Sequence, residues 1–198
     1  MLQAFSHSNH RRILFTEIFS YPHIQQCNAS LQPNIALLYE ASFFKIYVKF
    51  EQYLSKIFES YCIGVPSSKG YCPQRKLAFT DEEHLRAILR GDKQYIDYIK
   101  KIETLAPHIF VNSPFNIIFN VADNNTLFNQ MITLRNYIAH ESNESRTKYI
   151  KTCLGNGTFI EPDSYLTKIN RRTSSSYYTI YINKIIEISD LILDPPIV

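Results

Sequence analysis

Three side chains in residues 127–141 have types that suit acid–base chemistry on a phosphate group. Arg135, Asn136 and His140 lie within six residues of one another. The imidazole of histidine changes charge near neutral pH, so it can act as a general base or acid. A guanidinium can bind a phosphate through two parallel hydrogen bonds, and an amide can both donate and accept. These three residues are therefore candidates for a catalytic site.

The same stretch has the periodicity of an amphipathic helix. Its buried face is expected to carry Leu127, Met131, Leu134 and Ile138. A polar stripe beside it carries Asn129, Thr133, Asn136 and His140. On a regular helix, however, Arg135 lies about 140° from His140 around the axis. The two side chains can therefore converge across the two-fold axis of a dimer, or within one chain if the helix frays at Ala139.

A longer helix is predicted upstream, over residues 34–62. Its apolar positions repeat at intervals of four and three: Phe43, Tyr47, Phe50, Leu54, Ile57 and Tyr61. A second stripe of Phe44, Val48 and Phe58 widens this face, which is typical of a central bundle helix. Glu51 falls within the second stripe. Because an unpaired buried charge is costly, Glu51 either reaches water at the edge or pairs with a cation, for which Arg135 is a candidate.

Turn and capping signals predict further helices over residues 80–90, 93–105, 114–121 and 176–193. Thr80 and Glu83 form an expected capping box for the first of them. The chain turns polar after His140, and residues 156–173 are expected to form a loop or a short hairpin. The fold predicted from this order is an all-α, up-and-down bundle of five to seven helices, framed by residues 34–62, 124–141 and 176–193.

Length and composition favour one globular domain. The 198 residues are 45% hydrophobic and 20% charged, so the chain is expected to fold as one domain over 1–198. Its core is expected over 35–193, with residues 1–30 as an N-terminal extension. Only five glycines are present, which argues against a turn-rich all-β fold and a glycine-rich phosphate loop. The net charge of +3 is compatible with a nucleic-acid partner and equally with an ordinary surface.

No metal or cofactor motif is found in the sequence. None of the four cysteines lies in a C-x-x-C pair or has a histidine at metal-ligand spacing, so free thiols in a reducing cytosol are expected. The sequence has no H-E-x-x-H, P-loop or G-x-S-x-G motif. It also has no signal-peptide pattern at its start and no run of 18 apolar residues. We therefore expect a cytoplasmic protein that uses no metal or cofactor and does not enter a membrane.

The segment LRNYIAHES, residues 134–142, resembles the R-x4-6-H motif of the HEPN superfamily, whose members carry an R-N-x-x-A-H-type signature. The upstream segment ASFFKIYVKFEQYLSKIF is similar to the central helix of RiboL-PSP-type HEPN proteins, including a glutamate at Glu51. Residues 108–124 resemble the asparagine–proline segment that precedes the motif helix in those proteins. A basic segment, SRTKYIK, and a final helix follow the motif, so the resemblance covers about residues 35–193.

The resemblance implies a metal-independent endoribonuclease that leaves 2′,3′-cyclic phosphate and 5′-OH ends on RNA. It implies a homodimer through the 124–141 helix, and a toxin or effector of a bacterial or prophage antiviral defence system with an antitoxin or defence-system partner. The implied catalytic residues are Arg135, Asn136 and His140, supported by Glu51 and Glu141. Local positive charge adds candidate contacts to the RNA backbone at Arg146, Lys148 and Lys151.

Two other interpretations fit the same residues. The chain can be a non-catalytic HEPN module that binds RNA or a partner protein, which the modest net charge of +3 favours over a strongly basic nuclease. Alternatively, it is a helical bundle in which Arg135 only pairs with Glu51, and His140 only complements the dipole at the end of its helix.

Overall fold

Eight α-helices and a two-stranded ribbon make up the computed structural model over the residues that it describes, 32–91 and 96–196. In chain order they are α1 (Gln32–Cys62), α2 (Glu82–Arg90), α3 (Tyr98–Ile109), α4 (Asn116–Phe119), α5 (Ala122–His140), α6 (Asn143–Cys153), α7 (Pro162–Thr167), β1 (Ile169–Asn170), β2 (Ser175–Ser176) and α8 (Tyr177–Leu193). The all-α class predicted from the sequence is confirmed. The extension over residues 1–30 lies outside the described residues. Within the described ranges, no helix combines the length and the apolar character needed to cross a membrane.

Helix α1 is the element against which the other helices pack. It contacts α2, α3, α5, α7 and α8, and its predicted apolar face is buried at Phe43, Tyr47, Phe50, Leu54 and Tyr61. Each such side chain contributes about 1.5–3 kcal/mol to folding by leaving water. Edge-to-face aromatic contacts, such as Phe50 with Phe128 at 6.2 Å between ring centroids, join α1 to α5. The longest helix therefore fixes the position of the motif helix.

Hydroxyl groups connect the C-terminal end of α1, and the loop that follows it, to the C-terminal end of α8 by hydrogen bonds. Tyr61 Oη donates to the carbonyl of Ile192 at 2.8 Å, and Ser67 Oγ donates to that of Leu193 at 2.7 Å. The last carbonyls of a helix lack partners within the helix, so these bonds satisfy groups that would otherwise be buried without one. The loop that follows α1 is thereby tied to the end of the final helix.

The described residues contain one helix more than the expected range of five to seven, because the polar segment after His140 is itself helical. Glu141 adopts a left-handed conformation (φ 47°), which ends α5. Ser142 then caps α6, its hydroxyl accepting from the Ser145 N–H. The expected hairpin is present as β1 and β2, while α7, which begins at Pro162, occupies part of the segment that was predicted to be loop.

Two predicted helix starts are wrong by a few residues. Asp81, and not Thr80, caps α2, because its carboxylate accepts from the His84 N–H at 2.8 Å. Helix α3 begins at Tyr98 with Asp97 as its cap, so the predicted helix over 93–105 is not continuous; its first residues, 93–95, lie outside the described residues. It also runs through Pro107 to Ile109, two residues beyond the proline that was expected to follow it.

A buried carboxylate that the periodicity did not reveal holds α2 and α3 against α1. Glu59 is 5% exposed and receives two hydrogen bonds from Arg86, at 2.8 and 2.9 Å, and one from the hydroxyl of Tyr98. Burial alone raises the pKa of Glu59, but the hydrogen bonds from Arg86 and Tyr98 outweigh it and leave the pKa below its usual value. Arg86 also pairs with the exposed Glu82 on its own helix.

Replacing Glu59 with alanine is expected to lower the free energy of unfolding by about 2 kcal/mol, since Tyr98 and Arg86 lose a buried acceptor. The matched control is Glu82→Ala, which removes the other carboxylate of Arg86 at an exposed position and is expected to cost less than about 0.5 kcal/mol. Urea denaturation of the two variants measures both. Equal losses would contradict this account of how α2 and α3 are held.

Candidate active site

Helix α5 is rotated slightly from the orientation that the sequence predicts. Its buried side chains include Phe128, Met131, Leu134 and Tyr137, whereas Leu127 and Ile138 are only partly buried. Asn124 is also buried and donates to the carbonyl of Ile117 at 2.8 Å, which fixes the start of the helix. The side of α5 that carries Phe128 faces the core, because Phe128 packs on both Phe50 and Phe119. Arg135 consequently points toward α1.

The predicted ion pair between Glu51 and Arg135 is confirmed. Nη2 of Arg135 lies 3.1 Å from Oε2 of Glu51, and the two side chains are 27% and 26% exposed. Nη1 of Arg135 donates to Oδ1 of Asn136 at 2.8 Å. The guanidinium carbon also lies 6.0 Å from the centroid of the Phe44 ring. Two helices and three kinds of contact therefore hold the guanidinium in one place.

The charge on Glu51 depends on Arg135. Burial raises the pKa of Glu51 above its usual value, and the positive charge of Arg135 opposes that rise. Two buried polar atoms, Nε of Arg135 itself and Oη of Tyr47, have no hydrogen-bond partner in the described part of the chain. Burial raises the pKa of Tyr47 well above its ordinary value, so its hydroxyl stays neutral. The ion pair is thus partly buried, next to a neutral tyrosine hydroxyl.

A cavity of about 510 Å³ lies between α1, α3 and α5, and Arg135 forms part of its wall. Glu51 and Asn136 also line it, as do Asp97, the cap of α3, and Lys100 within that helix. Its volume falls within the range of sites that bind small molecules. The structure therefore places Glu51, Arg135 and Asn136 together at one concave surface.

His140 is the last residue of α5, is exposed, and does not line this cavity. Within the described residues, no hydrogen bond or ion pair connects it to Arg135. The helix continues through Ala139, so the predicted alternative in which the helix frays there is wrong. Asn136 and His140 lie one turn apart on the same side of α5. The guanidinium of Arg135 donates to Asn136. The charge of Arg135 therefore lies closer to the side of α5 that carries Asn136 and His140 than the Arg135 Cα does.

Glu141, which was expected to support the site, belongs to an acidic group. It is exposed, and its charge acts on Glu40 of α1, together with the charges of Glu161 and Asp163. Burial first, and then these three carboxylates, raise the pKa of Glu40. Negative charge is therefore concentrated near the end of α5, a feature that residue spacing alone did not reveal.

The three candidate RNA-binding cations lie together on α6 and are exposed, but their environments differ. Arg146 lies over the ring of Phe159, with 4.2 Å between the guanidinium carbon and the ring centroid. Lys148 pairs with Glu144 one turn away, at 2.7 Å. Lys151 is exposed in the last turn. None of these cations lies on α5.

No family model matches the chain, and no curated protein or solved structure is matched to it either. The HEPN resemblance therefore depends on the residues quoted from the sequence. Among the residues that the structure describes, no group of three or more His, Cys, Asp or Glu side chains could hold a metal ion.

Replacing Arg135 with alanine is expected to lower the free energy of unfolding by about 1–2 kcal/mol at neutral pH, because Glu51 is left charged and partly buried without its cation. The loss raises the pKa of Glu51 further. As the pH falls, Glu51 becomes protonated in the folded state, so the difference from wild type should shrink. Urea denaturation across the acidic to neutral range measures it.

The control for this experiment is Lys100→Ala, which removes an exposed pair with Glu103 that is 3.2 Å long. That variant is expected to unfold like the wild type at each pH, since exposed pairs contribute little. A cost of Arg135→Ala that does not change with pH would contradict the account of Glu51.

Proposed function

We propose that the chain is a metal-independent endoribonuclease of the HEPN type. One observation carries the proposal: Glu51 and Asn136 hold Arg135 beside a cavity, on the helix that presents an exposed His140 at its end. Arg135 has further N–H groups to give to a phosphate, since a guanidinium has five donors. The motif helix thus supplies an anchored cation and an accessible acid–base group.

The reaction needs only chemistry that these side chains can supply. His140 accepts the proton of a ribose 2′-OH, and the 2′ oxygen forms a bond to the adjacent phosphorus. Arg135 stabilises the negative charge that builds on the phosphoryl oxygens, while Asn136 orients the guanidinium or the phosphate. The bond from phosphorus to the 5′ oxygen then breaks, and that oxygen takes up a proton from a protonated histidine. The products are a 2′,3′-cyclic phosphate and a 5′-OH, and DNA is not a substrate because it lacks the 2′-OH.

A dimer completes this site. Arg135 bends toward Asn136 near the cavity, whereas His140 stands exposed at the end of α5 without contacting it, so one chain leaves the two groups apart. Two α5 helices related by a two-fold axis can bring Arg135 of one subunit to His140 of the other. Following the resemblance, we propose that this dimer is a toxin or effector of a bacterial or prophage defence system, with an antitoxin or other defence protein as its partner.

A non-catalytic HEPN module that binds RNA or a protein is the second candidate, and the acidic group around Glu141 favours it. Glu141 directly follows the last residue of α5, and its charge acts on Glu40 together with the charges of Glu161 and Asp163. They oppose the approach of phosphates to His140 from this side. In that case the purified protein binds its partner but produces no cyclic phosphate ends.

The purified protein is expected to cleave single-stranded RNA in the presence of EDTA and to leave 2′,3′-cyclic phosphate ends. His140→Ala should reduce the rate by at least about 100-fold, because it removes the general base. The matched control is His108→Ala, since His108 is likewise exposed in the last turn of a helix, and this variant should cleave like the wild type. Gel analysis of the products, with and without phosphatase treatment of the cyclic ends, provides the measurement.

The proposal fails if His140→Ala and His108→Ala cleave at the wild-type rate while remaining folded. RNA binding without cleavage by the wild type would instead support the non-catalytic module.

A further inference from the structure

Arg146 is held in an orientation that a free surface arginine does not have. Its guanidinium carbon lies 4.2 Å from the centroid of the Phe159 ring. Phe159 is itself fixed by edge-to-face contacts with Tyr137 at 5.9 Å and with Tyr149 at 6.2 Å. The two tyrosine rings stack on each other at 5.2 Å. The guanidinium therefore lies on an ordered aromatic cluster.

The outer face of this guanidinium is accessible. Arg146 is exposed, although its guanidinium lies against the Phe159 ring. The residue lies in the first turns of α6, which begins only three residues after His140. A flat, charged surface is thus presented close in sequence and in space to the end of the motif helix.

The surrounding charge favours a neutral ligand on this surface. Burial raises the pKa of Tyr137, and the negative charges of Glu161 and Glu141 raise it further, so two carboxylates act on the cluster that carries Arg146. Their negative charge weakens the attraction of this surface for a phosphate, which is an anion. They do not oppose an uncharged, planar nucleobase, which stacks on the face of an arginine as it does on an aromatic ring.

We propose that Arg146 stacks a base of single-stranded RNA next to the cleavage site and does not contact the RNA backbone. Phe159 and Tyr137 act as positioning residues that keep the guanidinium plane facing outward. This inference rests on the proposed ribonuclease function. It also replaces the backbone contact that the charge of Arg146 suggested in the sequence, while Lys148 and Lys151 remain the candidates for phosphate contacts.

The test uses the full chain with His140→Ala, so that the RNA stays intact, and a single-stranded oligonucleotide of mixed sequence that contains one 2-aminopurine. Dissociation constants are measured at several salt concentrations for Arg146→Lys and Arg146→Ala. Lysine keeps the positive charge but lacks the planar group on which a base can stack, and alanine lacks both. Both variants should therefore weaken RNA binding by about five- to tenfold, as expected for one lost stack. The slope of log affinity against log salt concentration should stay unchanged. The quenching of 2-aminopurine fluorescence that accompanies stacking should be lost.

The matched control is Arg90→Lys, an exposed arginine in the last turn of α2, which should bind as its parent does. Thermal melting identifies any variant that fails to fold. The inference is overturned if Arg146→Lys binds RNA like its parent and Arg146→Ala lowers the slope of log affinity against log salt concentration by about one. That result would indicate a phosphate contact by Arg146. Failure of the ribonuclease proposal can be told apart from failure of this inference. In that case the chain with an intact His140 yields no cyclic phosphate ends, whichever residue stands at position 146.

Discussion

The ion pair between Glu51 and Arg135 is the interaction on which the proposed chemistry depends. It forms where α1 and α5 pack together, with each side chain about one quarter exposed. In that environment the carboxylate of Glu51 needs its cation, because burial raises the pKa of Glu51 even beside the guanidinium. The pair also anchors the cation. An anchored guanidinium can stabilise a phosphoryl transition state without first losing conformational freedom.

The rest of the bundle holds the two partners of this pair in place. Aromatic side chains bury α1 along one face, and Phe128 carries that packing onto α5. Helix α6 follows after a turn of two residues, made possible by the left-handed backbone of Glu141 and the cap at Ser142. Rigid packing therefore surrounds Arg135, while His140 and Arg146 lie at the surface on either side of this turn. A partly buried cation and two exposed side chains suit the proposed site, which a second subunit and an RNA strand would complete.

Much of the fold was predictable because long helices leave a regular apolar repeat. The central helix, the motif helix and the final helix were placed to within two residues, and Glu51 was matched correctly with Arg135. Helix α6 was missed since its buried positions, Ser145 and Tyr149, are polar or amphipathic and leave little apolar signal. Glu59 was missed for a related reason, as periodicity cannot show that a carboxylate is satisfied by Arg86 from another helix. The contact of Arg146 with Phe159 joins separate elements and has no signature in the spacing of residues.

Mixing two inactive variants tests most directly whether Arg135 and His140 act together across a dimer. Arg135→Ala and His140→Ala chains are co-expressed so that mixed dimers form, and RNA cleavage is compared with that of each variant alone. A site shared between subunits predicts recovery of about a quarter of the wild-type rate, because half of the dimers are mixed and each of these has one intact site. A mixture of folded dimers that is no more active than either variant would contradict the shared site.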